Sequence, residues 1–238
     1  QVHWVGLRGN NGQAVFVSEQ DYADALTFAR AAQALYPVQV LGFCLLPTGM
    51  HWLLRPQQPG ALSRWVQQLA RRFVRTINQR YGRTGTLFEG RFRSGILQAS
   101  SHFLPCIWAL DAEPVRLALV PQAQDWRYSS AAWYAGQAAA LGATYRAQMT
   151  GFLTAPDEIW QLGNTPFERE VRYAQGLQQA YTPAWMAALQ AGCSRLPLST
   201  ARTGRPCRRP GQATRRARVG NQRGSAQRQV AVLGLHGA

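Results

Sequence analysis

One histidine stands in an otherwise apolar stretch, Leu45-Leu46-Pro47-Thr48-Gly49-Met50-His51-Trp52-Leu53-Leu54. Imidazole can ligate a metal, move a proton or contact a phosphate. In a strand, residues 49, 51 and 53 share one face while 50, 52 and 54 share the other. The plain alternative is a hydrogen-bonded histidine on a sheet surface. Other chemistry-bearing residues are scattered. His3, His102 and His236 show no paired ligand spacing, and Cys44, Cys106, Cys193 and Cys207 form no Cys-x-x-Cys pair. Buried free thiols in a reducing compartment are the simplest reading of the cysteines. Asp111 and Glu113 lie close together before Pro114, where helix capping or solvent exposure explains them as well as a carboxylate site does. The chain has no Gly-rich phosphate loop with Lys and no Ser-centred elbow.

The basic residues carry a stronger signal. The formal charge is +15 and all 26 basic residues are Arg. Residues 1–170 hold 15 Arg and 11 acids, whereas residues 171–238 hold 11 Arg and no acid. This asymmetry favours a polyanion, nucleic acid first. Between Arg64 and Arg93 eight Arg face one acid, Glu89, with Phe88 and Phe92 interleaved. That mixture suits a phosphate backbone with bases stacked on aromatic rings. In the tail, Thr203-Gly204-Arg205-Pro206 has the form of an arginine hook for a minor groove. No run approaches the roughly 18 consecutive apolar residues of a membrane span. The start lacks signal-peptide regions and an initiator Met, and reads as truncated.

These residues need a frame. Val2–Leu7 reads as a strand, followed by a Gly/Asn turn. Ser18, with Asp21 three residues on, caps a helix to Leu35. Residues 38–46 and 50–55 form a hairpin. Leu62, Trp65, Val66, Leu69, Phe73 and Ile77 mark an amphipathic helix over 61–81. A fourth strand is expected at 91–98, and a helix over 102–112 begins at Ser101 and is stopped by Pro114. Further helices are expected at 128–137, 165–180 and 183–192. The fold class is α+β: a ferredoxin-like βαββαβ sheet with two helices on one face, then a further helix, a helical C-terminal region and a basic tail. The expected domains are 1–136, a helical accessory region at 137–198, and an Arg-rich disordered tail at 199–238.

In order along the chain, Val2-His3-Trp4-Val5, Arg8-Gly9-Asn10-Asn11, Asp21-Tyr22, the 45–54 hairpin, Arg71-Arg72-Phe73-Val74, residues 81–94 (Tyr81-Gly82-Arg83-Thr84-Gly85-Thr86-Leu87-Phe88-Glu89-Gly90-Arg91-Phe92-Arg93-Ser94), Pro114-Val115-Arg116 and Trp126-Arg127-Tyr128-Ser129-Ser130 together resemble the REP-associated tyrosine transposases. These are relatives of the single-tyrosine insertion-sequence transposases of the His-hydrophobe-His type. The resemblance implies a cytoplasmic, nucleoid-associated protein that acts on single-stranded or hairpin repeat DNA, as a monomer or homodimer. It implies Mg²⁺ or Mn²⁺ held by two histidines at i and i+2. It also implies a tyrosine nucleophile on the helix after the fourth strand and an amide one turn beyond. DNA contacts then fall to Arg8, Asn10, Arg71, Arg72, Arg75, Arg83, Arg91, Arg93 and Arg205.

At the decisive positions this chain departs from the pattern. The first histidine position is Gly49, leaving His51. The nucleophile position is Ala109 and the amide position Glu113, which could join His51 on a metal. Tyr81, Tyr128 or Tyr134 could replace the nucleophile. The expectation is a DNA-binding protein with lost or impaired cleavage, or the product of a decaying gene. If the scaffold is intact, Gly49→His with Ala109→Tyr should restore activity.

Overall fold

The computed structural model describes residues 1–97 and 102–179. All of them belong to the first of the two units into which the chain divides, Gln1–Thr203. The expected tail, with Arg205, and the expected helix at 183–192 lie outside the described residues.

The chain is a mixed α/β fold built on a four-stranded antiparallel sheet. Its elements are β1 (His3–Arg8), α1 (Glu19–Leu35), β2 (Val38–Leu46), β3 (Gly49–Pro56), α2 (Ala61–Arg80), β4 (Arg93–Ile96) and α3 (Phe103–Arg116). The short helices α4 (Ala131–Tyr134), α5 (Ala143–Met149) and α6 (Asp157–Trp160) precede α7 (Pro166–Gln179). The sheet order is β2-β3-β1-β4. β1 and β2, joined through α1, therefore run parallel with β3 antiparallel between them.

Register decides what each face carries. His51 lies opposite Gly6 of β1 and Cys44 of β2, and Gly49 opposite Arg8 and Leu46. On the other face Trp52 stacks on Phe43 and meets Trp65 of α2 edge-on, with centroids 5.2 Å apart. The stripe Trp65, Val66, Leu69, Phe73, Ile77 is buried there, as its spacing predicts. A Cβ on Gly42, which shares the His51 face, would lie 3.0 Å from Ile107 of α3. So α3 covers the His51 face and α2 the opposite one.

One carboxylate ties the first two helices together. Asp21 Oδ2 accepts the Val17 and Ser18 N–H groups at 2.8 and 2.9 Å, the capping box expected at Ser18. The same side chain accepts from Tyr81 Oη at 2.8 Å and pairs with Arg80 at the end of α2. The edge strand β2 is also covered. Leu45 N–H donates to Tyr128 O, Ser130 N–H to Phe43 O, and Thr154 N–H to Val40 O. An open strand edge would otherwise invite pairing with another chain.

Three expectations need correction. Pro114 does not stop α3, which continues to Arg116 with Pro114 inside it. Proline lacks the N–H of one helical bond, but Leu117 N–H still donates to Glu113 O, and the Arg116–Glu113 pair spans the same turn. The helix expected over 128–137 shrinks to α4, because Ser129 bridges Cys44 of β2 and the backbones of Tyr128 and Ser130 bond to Leu45 and Phe43. Of the fourth strand expected at 91–98, Arg93–Ile96 pairs with β1 and Arg91 and Phe92 precede the strand, while Gln98 lies outside the described residues.

Candidate nucleic-acid interface

His51 is buried, 8% exposed. The Trp4 indole N–H donates to its Nδ1 at 3.5 Å, and the rings meet edge-on. A neutral imidazole accepting at Nδ1 carries its proton on Nε2. Burial, and then the nearby Arg116 guanidinium, lower the His51 pKa to about 4. The ring is therefore neutral at ordinary pH.

The carboxylates expected at a helix end are buried instead. Glu113, 3% exposed, is gripped by Arg116, whose Nε lies 3.2 and 3.1 Å from its two oxygens and whose Nη2 lies 2.6 Å from one. Burial raises the Glu113 pKa, opposed by Arg116. Asp111 is fully buried and accepts from Ser130 Oγ at 2.8 Å and Tyr173 Oη at 2.7 Å. Burial pushes its pKa up to about 7 against those two hydrogen bonds. Asp111 thus fastens α7 to α3 and serves neither as a cap nor as a surface charge. Its partners lie 19 and 62 residues away, so local spacing did not disclose this role.

These residues do not fit a divalent ion. Among the described residues no three His, Cys, Asp or Glu side chains gather as a metal cluster. Both Glu113 oxygens are taken by Arg116. A metal-bound neutral imidazole carries its proton on the other nitrogen and donates it to an acceptor. At His51 that other nitrogen meets a donor, Trp4 Nε1–H. Ligation through Nε2 would set two N–H groups against each other. Position 49 has no room either: a Cβ there would lie 2.6 Å from the Leu7 carbonyl oxygen.

The positions implied for the nucleophile are closed in the same way. Ala109 is buried, 5% exposed, so a tyrosine there would have to displace its neighbours. Tyr134 donates to Leu41 O at 2.7 Å, and burial raises its pKa far above the usual tyrosine value. Tyr81 is spent on Asp21, and Tyr128 stacks on Tyr22 at 3.9 Å. The hydroxyls of Tyr81 and Tyr134 are thus engaged elsewhere, and the Tyr128 ring packs against Tyr22 of α1.

The implied DNA contacts fall into two groups. Arg93 lies opposite Gly6 on the His51 face, and Arg8 lies on that face next to Gly49. The 3₁₀ turn Asn10–Gly12 is bound to the following loop: Asn10 N–H donates to Leu87 O, Glu89 N–H to Arg8 O, and Arg83 Nη2 to Gln13 Oε1 at 2.9 Å. Arg8, Asn10, Arg83, Arg91 and Arg93 thus gather at one end of the sheet, where Arg8, Arg91 and Arg93 are exposed. The acid there, Glu89, reaches Arg8 only at 4.0 Å. The second group is on α2, which packs on the opposite face. Arg71 and Arg75 are exposed, while Arg72 lies 4.8 Å over the Phe28 ring.

No known protein family matches the chain, and no curated protein matches it. Among solved structures it is similar to a REP-associated tyrosine transposase bound to a REP hairpin, at 18% identity and a TM-score of 0.46, over 54% of this chain and 75% of that one. No helix among the described residues is long and apolar enough to cross a membrane.

Proposed function

We propose that this chain binds structured or single-stranded DNA through the basic end of its sheet, and that it does so without metal-dependent cleavage. The observation that carries this reading is the contrast at one location. Arg8, Arg91 and Arg93 are exposed around the end of β1, while His51, Glu113 and Ala109 behind them are buried and committed to internal contacts. Guanidinium groups presented without close carboxylate partners are suited to phosphate. A buried neutral histidine facing a tryptophan N–H is suited to holding the sheet together. The resemblance of residues 82–94 to the transposases supplies the hairpin as the DNA to test first.

The experiment incubates the full chain with a labelled repeat hairpin in Mg²⁺ or Mn²⁺, reading native and denaturing gels. The expected result is binding that weakens steeply as salt rises, with no covalent band and no nicking. A protein–DNA band surviving denaturation overturns the absence of cleavage, and no binding at low salt overturns the DNA reading. The double replacement Gly49→His with Ala109→Tyr is now expected to stay inactive, because a Cβ at position 49 would meet the Leu7 carbonyl oxygen and a tyrosine at position 109 would have to displace its neighbours. Recovery of nicking by that variant would show the buried positions to be open in solution.

A further inference from the structure

A cleft of about 420 Å³ opens between α4, α6 and α7, and none of the residues at the basic sheet end lines it. Its size falls in the range of small-molecule sites, about 300–1,000 Å³. Trp133, Trp160, Arg146, Arg169 and Glu170 line it, together with Gly136. The Trp160 ring is 55% exposed, yet it is fixed from two sides. Its Nε1–H donates to Ala155 O at 3.3 Å, and the Arg169 guanidinium lies 4.5 Å from the ring centroid while donating to Gly163 O. A large apolar surface is thus held rigid and left open to solvent.

Glu170 is placed as an acceptor. Gly136 adopts a left-handed backbone, φ 70°, and a Cβ there would lie 2.3 Å from Glu170 Oε2. The glycine is what lets the carboxylate settle over the backbone at the end of α4. Among the described residues the Glu170 side chain has no hydrogen bond or ion pair. Two carboxylate oxygens, both without partners, therefore border an aromatic cleft. Arg146 and Arg169 outweigh the one acid, so an anionic ligand is favoured over a cationic peptide side chain.

A flat ring, a carboxylate with two acceptor oxygens and a guanidinium match one chemistry. The Watson–Crick edge of guanine presents two adjacent donors, N1–H and N2–H, which a carboxylate can accept together. Adenine, cytosine and thymine each offer one donor group on that edge. We propose that this cleft binds a guanine nucleotide, with the base on Trp160, its Watson–Crick edge on Glu170 and its phosphate at Arg146. The nucleotide is either free or one residue of a single strand, and both sources present the same groups. This site is separate from the basic sheet end.

The test titrates the full chain with dGMP, dAMP and dCMP, following tryptophan fluorescence. Saturable dGMP binding is expected, with the other two about tenfold weaker. Glu170→Gln keeps the side-chain shape and should bring dGMP down to the dAMP level. Trp160→Ala should weaken all three by about fivefold or more. Far-UV circular dichroism of both variants shows whether the fold is kept, and Arg146→Ala, on an exposed position, gives a third reading through lost phosphate affinity. A thymidine oligonucleotide carrying one central dG identifies the source when set against the same oligonucleotide without it, which measures binding at the sheet end: a gain from the dG that Glu170→Gln removes assigns a strand, and no gain assigns a free nucleotide. No saturation by about 10 mM dGMP, or a guanine preference that survives Glu170→Gln, overturns the proposal. Because no hairpin is involved, failure here leaves the sheet-end reading standing, and the reverse also holds.

Discussion

On one face of the sheet Phe43, Trp52, Trp65 and Phe73 close an apolar layer beneath α1 and α2. On the other face, under α3, the layer includes a histidine, and α3 itself brings two buried carboxylates. Across the sheet the first face answers to packing, and its buried carboxylate, Asp21, sits at the helix ends, held by Val17, Ser18, Tyr81 and Arg80. The second answers also to protonation and to the pairing of Glu113 with Arg116. A face that must hold charges in place has its polar groups engaged, and so has little left with which to do chemistry.

The largest effect that would test this contrast is on the apolar face. Trp65→Ala should cost about 3–5 kcal/mol, and urea unfolding should give the same loss at pH 5 and pH 8. A loss that changes with pH would mean the two faces are not separable.

The α3 face should instead show slopes with pH. Folding lowers the His51 pKa to about 4, so the unfolded chain binds more protons between about pH 6.5 and 4. The stability from this group is present above about 6.5 and lost as pH falls through about 4, roughly 3 kcal/mol in all. Folding raises the Asp111 pKa to about 7, so that group acts in the opposite direction and costs stability as pH rises through the same window. The two slopes oppose each other in the native chain. His51→Gln should leave stability falling as pH rises from 4 to 7, and Asp111→Asn should leave it rising. Urea midpoints across that window check both, and a flat profile in either variant would remove the assignment for the group that remains.

A smaller effect is expected at Glu113→Gln, about 1–2 kcal/mol, because Arg116 is partly exposed and water replaces part of the pairing. The same change leaves the Arg116 charge uncompensated near His51, so the histidine should titrate still lower by NMR. An upward shift would contradict the arrangement. The smallest stability effect belongs to the sheet end. Arg93→Ala should stay within about 0.5 kcal/mol of the native chain, while lowering the salt slope of hairpin binding by about one.

Much of the frame was legible in the sequence because it rests on local periodicity. Strand alternation put Gly49 and His51 on one face, the spacing of Trp65 to Ile77 marked the buried side of α2, and Ser18 with Asp21 marked the start of α1. What was not legible depends on residues distant in sequence. Asp111 looked like a capping residue because Ser130 and Tyr173 are nowhere near it in the chain. Pro114 looked like a stop because its neighbours, not the proline, sustain the turn. The bonding of Tyr128–Ser130 to β2 replaced the first three residues of an expected helix, since an unpaired edge outweighs weak helical propensity. The nucleotide cleft is assembled from separate segments between Trp133 and Glu170, none of which carries a motif by itself.

The Leu7 carbonyl beneath Gly49 sets a limit on what position 49 can carry. A Cβ there would meet that oxygen at 2.6 Å, so any side chain requires β1 to shift first, and that shift would disturb the Trp4–His51 contact. The backbone of β1 thus acts as a filter that admits glycine and turns larger residues away.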